Sequence, residues 1–241
     1  MAKERRKIIV AGPLWMGVQY AAAHSKDPDT NRAAKSQISS PARESLNARL
    51  SWQKLMLVLA CNFSPGDLVA TLTYRDGDLP RTRENADKRL TAFLRRLRSA
   101  RKQAGEALRY IRVTEGYHSG GRLHHHLIIN STGDDYQMIK GLWERNGDNV
   151  EFQPLGTDGY SQWAQYLTKE PRTLGRRHVG DRTWRTSLHM RKPVIYYDYV
   201  HDTDHLQPPA GAHVLDRTEC QNCYGRFVSI TALSEFSESE N

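Results

Sequence analysis

The sequence predicts an α+β protein: an antiparallel sheet with helices packed against it. Three observations carry this. Short runs rich in β-branched and aromatic residues alternate with longer runs whose apolar residues recur every three or four positions. Clusters of Gly, Pro, Asn and Asp separate them. The 241 residues are 38% hydrophobic and 26% charged, which suits a globular chain with one sizeable core, or one core plus a small appendage.

The elements follow in order. Residues 1–35 have no clean period beyond a short strand at Lys7–Ala11 and a polar loop around Asp27-Pro28-Asp29. Residues 40–61 predict a helix, with Ser39 or Ser40 as cap, Pro41 in the first turn, and Trp52, Leu55, Met56 and Leu59 at helical spacing. Asn62 to Asp67 breaks it. Leu68–Tyr74 reads as a strand, ended by Asp76-Gly77-Asp78 and Pro80. Residues 84–102 form a second helix. Leu90, Phe93, Leu94 and Leu97 make its apolar stripe, and Arg89, Arg95, Arg96, Arg98, Arg101 and Lys102 crowd the rest. A strand at Leu108–Thr114, a turn at Gly116–Arg122 and a strand at Leu123–Asn130 come next. A helix at 134–146, a strand at Asn149–Gln153 and a helix at Tyr160–Lys169 complete the series.

The order β-α-β-β-α-β with a final helix is the split βαβ, ferredoxin-like pattern, shared by RRM-like domains. Beyond Pro171 the chain is less regular, with strands expected at Val194–Val200 and Arg226–Ile230 and a loop at Pro208-Pro209. Three segments are expected: an extension over 1–60, a core over 61–170, and a basic C-terminal extension with an acidic tail over 171–241.

Lys and Arg number 35 against 27 acids, a net charge of +8. That surplus suits a polyanionic partner, nucleic acid first. Three cysteines make no secreted disulfide framework. The apolar stretch after Lys3–Lys7 is interrupted by Gly12-Pro13, and Glu4 stands among its basic residues, which argues against a signal peptide. No apolar run approaches the roughly 20 residues that span a bilayer, so no membrane partner is expected and the cytoplasm is the expected compartment. A Gly-x-x-x-x-Gly-Lys-Ser/Thr loop is missing, so any helicase must come from elsewhere.

The chemistry-bearing signal is Gly121-Arg122-Leu123-His124-His125-His126-Leu127. In a strand, side chains alternate faces, so His124 and His126 share one face and His125 takes the other. Two imidazoles on one face can hold a divalent metal. Glu115, ending the preceding strand, is placed to join them if the register sets it opposite His124. Two His and one carboxylate leave positions open for substrate. On the last core helix, Tyr166 and Lys169 are three apart and share a face. A tyrosine hydroxyl is a poor nucleophile at neutral pH, but a nearby metal and ammonium favour its phenolate form. Cys220-Gln221-Asn222-Cys223 is half of a zinc pattern, with His205 and His213 able to supply the rest.

Together these motifs resemble the HUH endonuclease superfamily, named for its His-hydrophobic-His motif, and most of all the rolling-circle replication initiators of phages and plasmids. Thr71-Leu72-Thr73-Tyr74 with Leu79-Pro80 resembles the first strand motif, and Phe93 to Arg98 the basic helix. Glu115-Gly116-Tyr117 with Gly121 to His126 resembles the metal-binding hairpin. Tyr166-Leu167-Thr168-Lys169 resembles the nucleophile motif. The middle of the histidine motif is His125 rather than an aliphatic residue, which leaves open which two of three histidines bind. One tyrosine stands in the nucleophile motif, since Tyr160, six residues earlier, would face away from Tyr166.

The resemblance implies that Glu115, His124 and His126 bind Mg²⁺ or Mn²⁺. It implies that Tyr166 attacks the scissile phosphate, giving a 5′-phosphotyrosine and a free 3′-hydroxyl, and that Lys169 steadies the charge. Thr73, Arg95, Arg96, Arg98 and Arg122, with the 172–192 segment, are the expected DNA contacts. The implied partners are a single-stranded origin, expected to carry a hairpin, and a host helicase and polymerase. Rival readings are a relaxase or transposase of the same superfamily, a non-catalytic nucleic-acid-binding module of RRM-like fold, and a zinc hydrolase using His124 and His126.

Overall fold

The computed structural model describes residues 3–21, 41–116, 122–147, 149–156, 159–169, 183–222 and 225–234. In chain order the elements are β1 (Lys3–Ala11), β2 (Leu14–Ala21), α1 (Pro41–Asn62), β3 (Leu68–Thr73), α2 (Arg83–Gln103), β4 (Tyr110–Glu115), β5 (His124–Ile129), α3 (Asp135–Trp143), β6 (Val150–Pro154), α4 (Gly159–Leu167), β7 (Trp184–Thr186), β8 (Val194–His201), β9 (His213–Asn222) and β10 (Gly225–Leu233). The expected loop at Asp27-Pro28-Asp29, the caps Ser39 and Ser40, the 117–121 stretch, residues 170–182 and the acidic tail lie outside the described residues.

The architecture is α+β: two antiparallel sheets with four helices among the described residues. The chain divides into two compact units, one within residues 37–190 and one from residues 1–36 with 191–241. The expected division at 60 and 170 differs from this. Residues 41–62 form a helix of the first unit, and strands from the two ends of the chain share the sheet of the second.

In the first unit the sheet order is β6-β3-β5-β4-β7. Both β3 and β4 pair antiparallel with β5, so α2 joins two parallel strands with a third between them. That is the split βαβ. Thr82 caps α2, its hydroxyl accepting from the Asn85 amide at 3.2 Å. The stripe Leu90, Phe93, Leu94 and Leu97 is buried against Ala70, Leu72, Leu127 and Ile129 of the sheet and Ile139 and Trp143 of α3. Arg101 departs from the expected basic surface. It is fully buried, ion-paired with Asp135, and donates to the Asn130 carbonyl at 2.7 Å. The other sheet face carries buried Val69, Ile111, Val113 and Ile128. There α1 and α4 pack together, joined where Tyr160 donates to the Phe63 carbonyl at 2.7 Å.

In the second unit the order is β8-β1-β2-β10-β9. Gly12-Pro13, read as an interruption, is the turn of the β1–β2 hairpin, with Gly12 at φ 55° as two-residue turns require. β2 escaped the pattern reading because its inward face places Gly17 and Gln19 beside Trp15. A Cβ on Gly17 would lie 2.4 Å from the Trp15 ring, so the indole occupies the space that a side chain would take.

Candidate metal centre

Strand alternation decides among the three histidines. His125 points into the α2–α3 core and is fully buried. Its Nε2 lies 2.6 Å from the Tyr74 hydroxyl and its Nδ1 2.9 Å from the Thr114 hydroxyl. Burial, helped by the Arg112 cation and the flanking histidines, pushes this imidazole down to about 3. It is a neutral core group with both nitrogens satisfied.

His124 and His126 lie on the opposite face. The register sets Glu115 against His124, as the spacing predicted. Glu115 Oε2 is 3.7 Å from His124 Nε2 and 3.6 Å from His126 Nε2, and the two Nε2 atoms are 3.1 Å apart. Each imidazole is held from behind through its other nitrogen. His124 Nδ1 is 2.8 Å from the Arg122 carbonyl, which fixes that nitrogen as the donor, and His126 Nδ1 is 3.1 Å from the Thr71 hydroxyl. This is the outer support that keeps ligating histidines in orientation. The hairpin is built for it: Gly116 has φ 91°, and a Cβ there would lie 2.3 Å from the carbonyl of Arg122 that His124 uses.

The donor set fits a divalent ion. The ligand atoms of Glu115, His124 and His126 lie within 4.8 Å of one another, the sole such group among the described residues. Adjacent ligands of an octahedral ion with bonds of about 2.1 Å stand about 3 Å apart, close to the spacing of the two Nε2 atoms. Glu115 is 3% exposed, and its Oε1 is buried without a hydrogen-bond partner among the described residues. A buried carboxylate oxygen left in that state is costly unless a cation completes it. Burial raises the Glu115 carboxyl, but His126, Lys169 and His124 lower it more, so it lies below the ordinary value.

Helix α4 brings Tyr166 and Lys169 to this group. The Tyr166 and His126 rings meet edge to face, with centroids 5.4 Å apart. Lys169 Nζ is 3.3 Å from Glu115 Oε2 and 3.4 Å from the Tyr166 ring centroid. Burial lowers the Lys169 ammonium, but Tyr166 and Glu115 raise it further, so it stays protonated. Tyr166 is 42% exposed, so its ring is open to a large substrate. Tyr160 is buried, and its hydroxyl is pushed up to about 12 by burial and by Asp67.

The remaining expected residues fall elsewhere. Thr73 pairs with His124 and donates its hydroxyl to the Asn149 carbonyl at 3.0 Å. Arg122 is ion-paired with Asp76 and bonded to the Tyr74 carbonyl, clamping the β3 exit loop to the hairpin. Helix α2 packs on the His125 face, so Arg95, Arg96 and Arg98 lie across the sheet from the metal group. Arg96 donates to the Leu142 carbonyl, and the Arg98 guanidinium stands 5.9 Å from the Tyr110 ring centroid. Cys220 is exposed on β9, and Cys223 lies outside the described residues.

Sequence reasoning missed Thr71, whose position opposite His126 on the neighbouring strand was the available signal. It also missed the Tyr74–His125–Thr114 chain, which depends on contacts between residues far apart in sequence.

An α+β unit with a His₂-carboxylate group beside an accessible tyrosine is thus the class of protein defined here. Residues 67–171, which hold all five of these side chains, match the sequence model of the replication-associated protein ORF2 family, a family of rolling-circle replication proteins. The match spans less than half of the chain. No curated protein and no solved structure gives a significant match. Among the described residues no helix is long and apolar enough to cross a membrane.

Proposed function

We propose that this protein nicks single-stranded DNA at a replication origin and keeps the cut 5′ end on Tyr166, as the HUH initiators it resembles do. The observation that carries this reading is the meeting of Tyr166 and Lys169 with Glu115, His124 and His126 on one sheet face. The ring contact with His126 sets the Tyr166 side chain beside the metal group rather than in the core. As the Tyr166 oxygen bonds to phosphorus it loses its proton. The P–O3′ bond breaks, and the leaving oxygen takes a proton to become a 3′-hydroxyl. Lys169 balances the charge on the phenolate and the phosphate. Mg²⁺ or Mn²⁺ held by Glu115, His124 and His126 supplies Lewis-acid charge to the scissile phosphate. Reversal by a 3′-hydroxyl religates the strand.

On this reading the 3′-hydroxyl primes a host polymerase, a host helicase separates the strands, and the work is done in the cytoplasm. The test is covalent capture. Protein is mixed with Mn²⁺ and single-stranded oligonucleotides tiling the replicon that encodes it, then separated under denaturing conditions. An adduct that needs both Tyr166 and metal supports the proposal. Folded, metal-loaded protein that captures nothing across a complete tiling overturns it and favours a non-catalytic binding module.

A further inference from the structure

The sheet of the unit formed by the chain ends has two unlike faces. One carries Trp15, Val228, Ile230 and Ala232, buried with Leu206. On the other, the register aligns Tyr199, Arg5, Tyr20 and Phe227 across four adjacent strands, with Tyr197 beside Lys7 in the next row. The Arg5 guanidinium is 5.6 Å from the Tyr199 ring centroid, and Lys7 Nζ is 5.7 Å from that of Tyr197. Tyr197 is 66% exposed and Tyr199 60%. By strand alternation the acids Glu4 and Asp198 point to the opposite face.

We propose that this face binds single-stranded DNA, with bases stacked on Tyr197 and Tyr199 and phosphates held by Arg5 and Lys7. Rings that serve a core are buried, and these are not. Interleaved aromatic and basic side chains are what a strand-binding surface needs, because every base has a π-face and every linkage a negative charge. Spacing favours a single strand over a duplex. Same-face residues of a strand are about 6.8 Å apart, whereas stacked duplex bases are about 3.4 Å apart. Only an unstacked chain can lay successive bases on both rings. None of the five side chains of the metal centre takes part. The choice of DNA rests on the nicking proposal, and the stacking surface stands without it.

The test uses the full chain carrying Tyr166→Phe, in EDTA, so that failure of nicking and failure of binding are separate results. Anisotropy of a fluorescent oligothymidylate reports affinity. Tyr197→Ala with Tyr199→Ala is expected to weaken binding about tenfold or more, and Tyr197→Phe with Tyr199→Phe to preserve it. Arg5→Gln with Lys7→Gln should lower the slope of log affinity against log salt by about 1.4, two single-strand contacts' worth. Unchanged affinity in the alanine variant overturns the proposal. So does equal weakening toward an abasic strand, which has no bases to stack. Loss of self-association in these variants with DNA binding intact also overturns it, and would assign the face to a second copy of the chain.

Discussion

The rings of His126 and Tyr166 meet edge to face with their centroids 5.4 Å apart, so one contact joins a metal-ligating strand to the helix that carries the proposed nucleophile. Tyr166→Phe keeps that contact and removes only the hydroxyl. It is expected to abolish the covalent DNA adduct while leaving thermal stability within about 0.5 kcal/mol of the parent, as for exposed positions generally. Denaturing electrophoresis and a melting curve check both halves. An adduct at parental yield would reassign the nucleophile.

Metal should stabilise the fold. At about 100 times its dissociation constant, Mn²⁺ adds about 2.7 kcal/mol of stability if it binds the native state alone. Glu115→Gln should remove most of that gain, because it replaces the carboxylate common to both imidazoles. Thermal melts with and without Mn²⁺ measure it, and an equal gain in both proteins would rule out Glu115 as a ligand.

Thr71→Val tests the support behind the ligands. Valine cannot bond to His126 Nδ1, so the imidazole loses its partner at 3.1 Å. Mn²⁺ affinity by calorimetry should fall by about 10- to 100-fold. Gly116→Ala should do the same by another route, since its Cβ would displace the carbonyl that orients His124. Parental affinity in both variants would mean that the second nitrogens do not matter.

His125 gives the fold a pH dependence of defined sign. Its folded-state value, about 3, lies below the roughly 6.5 of a free imidazole, so the unfolded chain takes up the proton first. The stability it contributes is whole above about pH 6.5 and is lost as pH falls toward 3, at about 1.4 kcal/mol per pH unit. The stability difference between the parent and His125→Asn should therefore shrink on acidification through that window. A difference constant from pH 7 to pH 4 would show that His125 is charged in the fold.

Arg101→Met should cost about 3–5 kcal/mol, because it leaves Asp135 buried and unpaired. Arg101→Met with Asp135→Leu should recover much of the loss. Urea unfolding gives both values, and a neutral single substitution would mean that Asp135 is protonated in the fold.

The first unit was legible in the sequence because its elements bury one face each. Leu90, Phe93, Leu94 and Leu97 announce α2, and the strand period alone puts His124 and His126 opposite His125. Glu115 followed from hairpin register and Lys169 from helix spacing. Other features were hidden for physical reasons. β9 is an edge strand whose described side chains are nearly all exposed, so it has no apolar alternation to read. β7 has three residues. Arg101 looked like its surface neighbours because burial of a cation depends on Asp135, 34 positions away.

The sheet that joins β1 and β2 to β8 and β10 has a consequence for synthesis. The hairpin leaves the ribosome ahead of the whole of the other unit, yet both of its neighbouring strands follow that unit. Strands within residues 37–190 pair among themselves and can fold during translation, while the hairpin waits with two bare edges. Closure of the sheet is thus postponed until β10 has been made. A premature stop before residue 194 would release a chain whose metal centre is encoded in full but whose first strands have nothing to join.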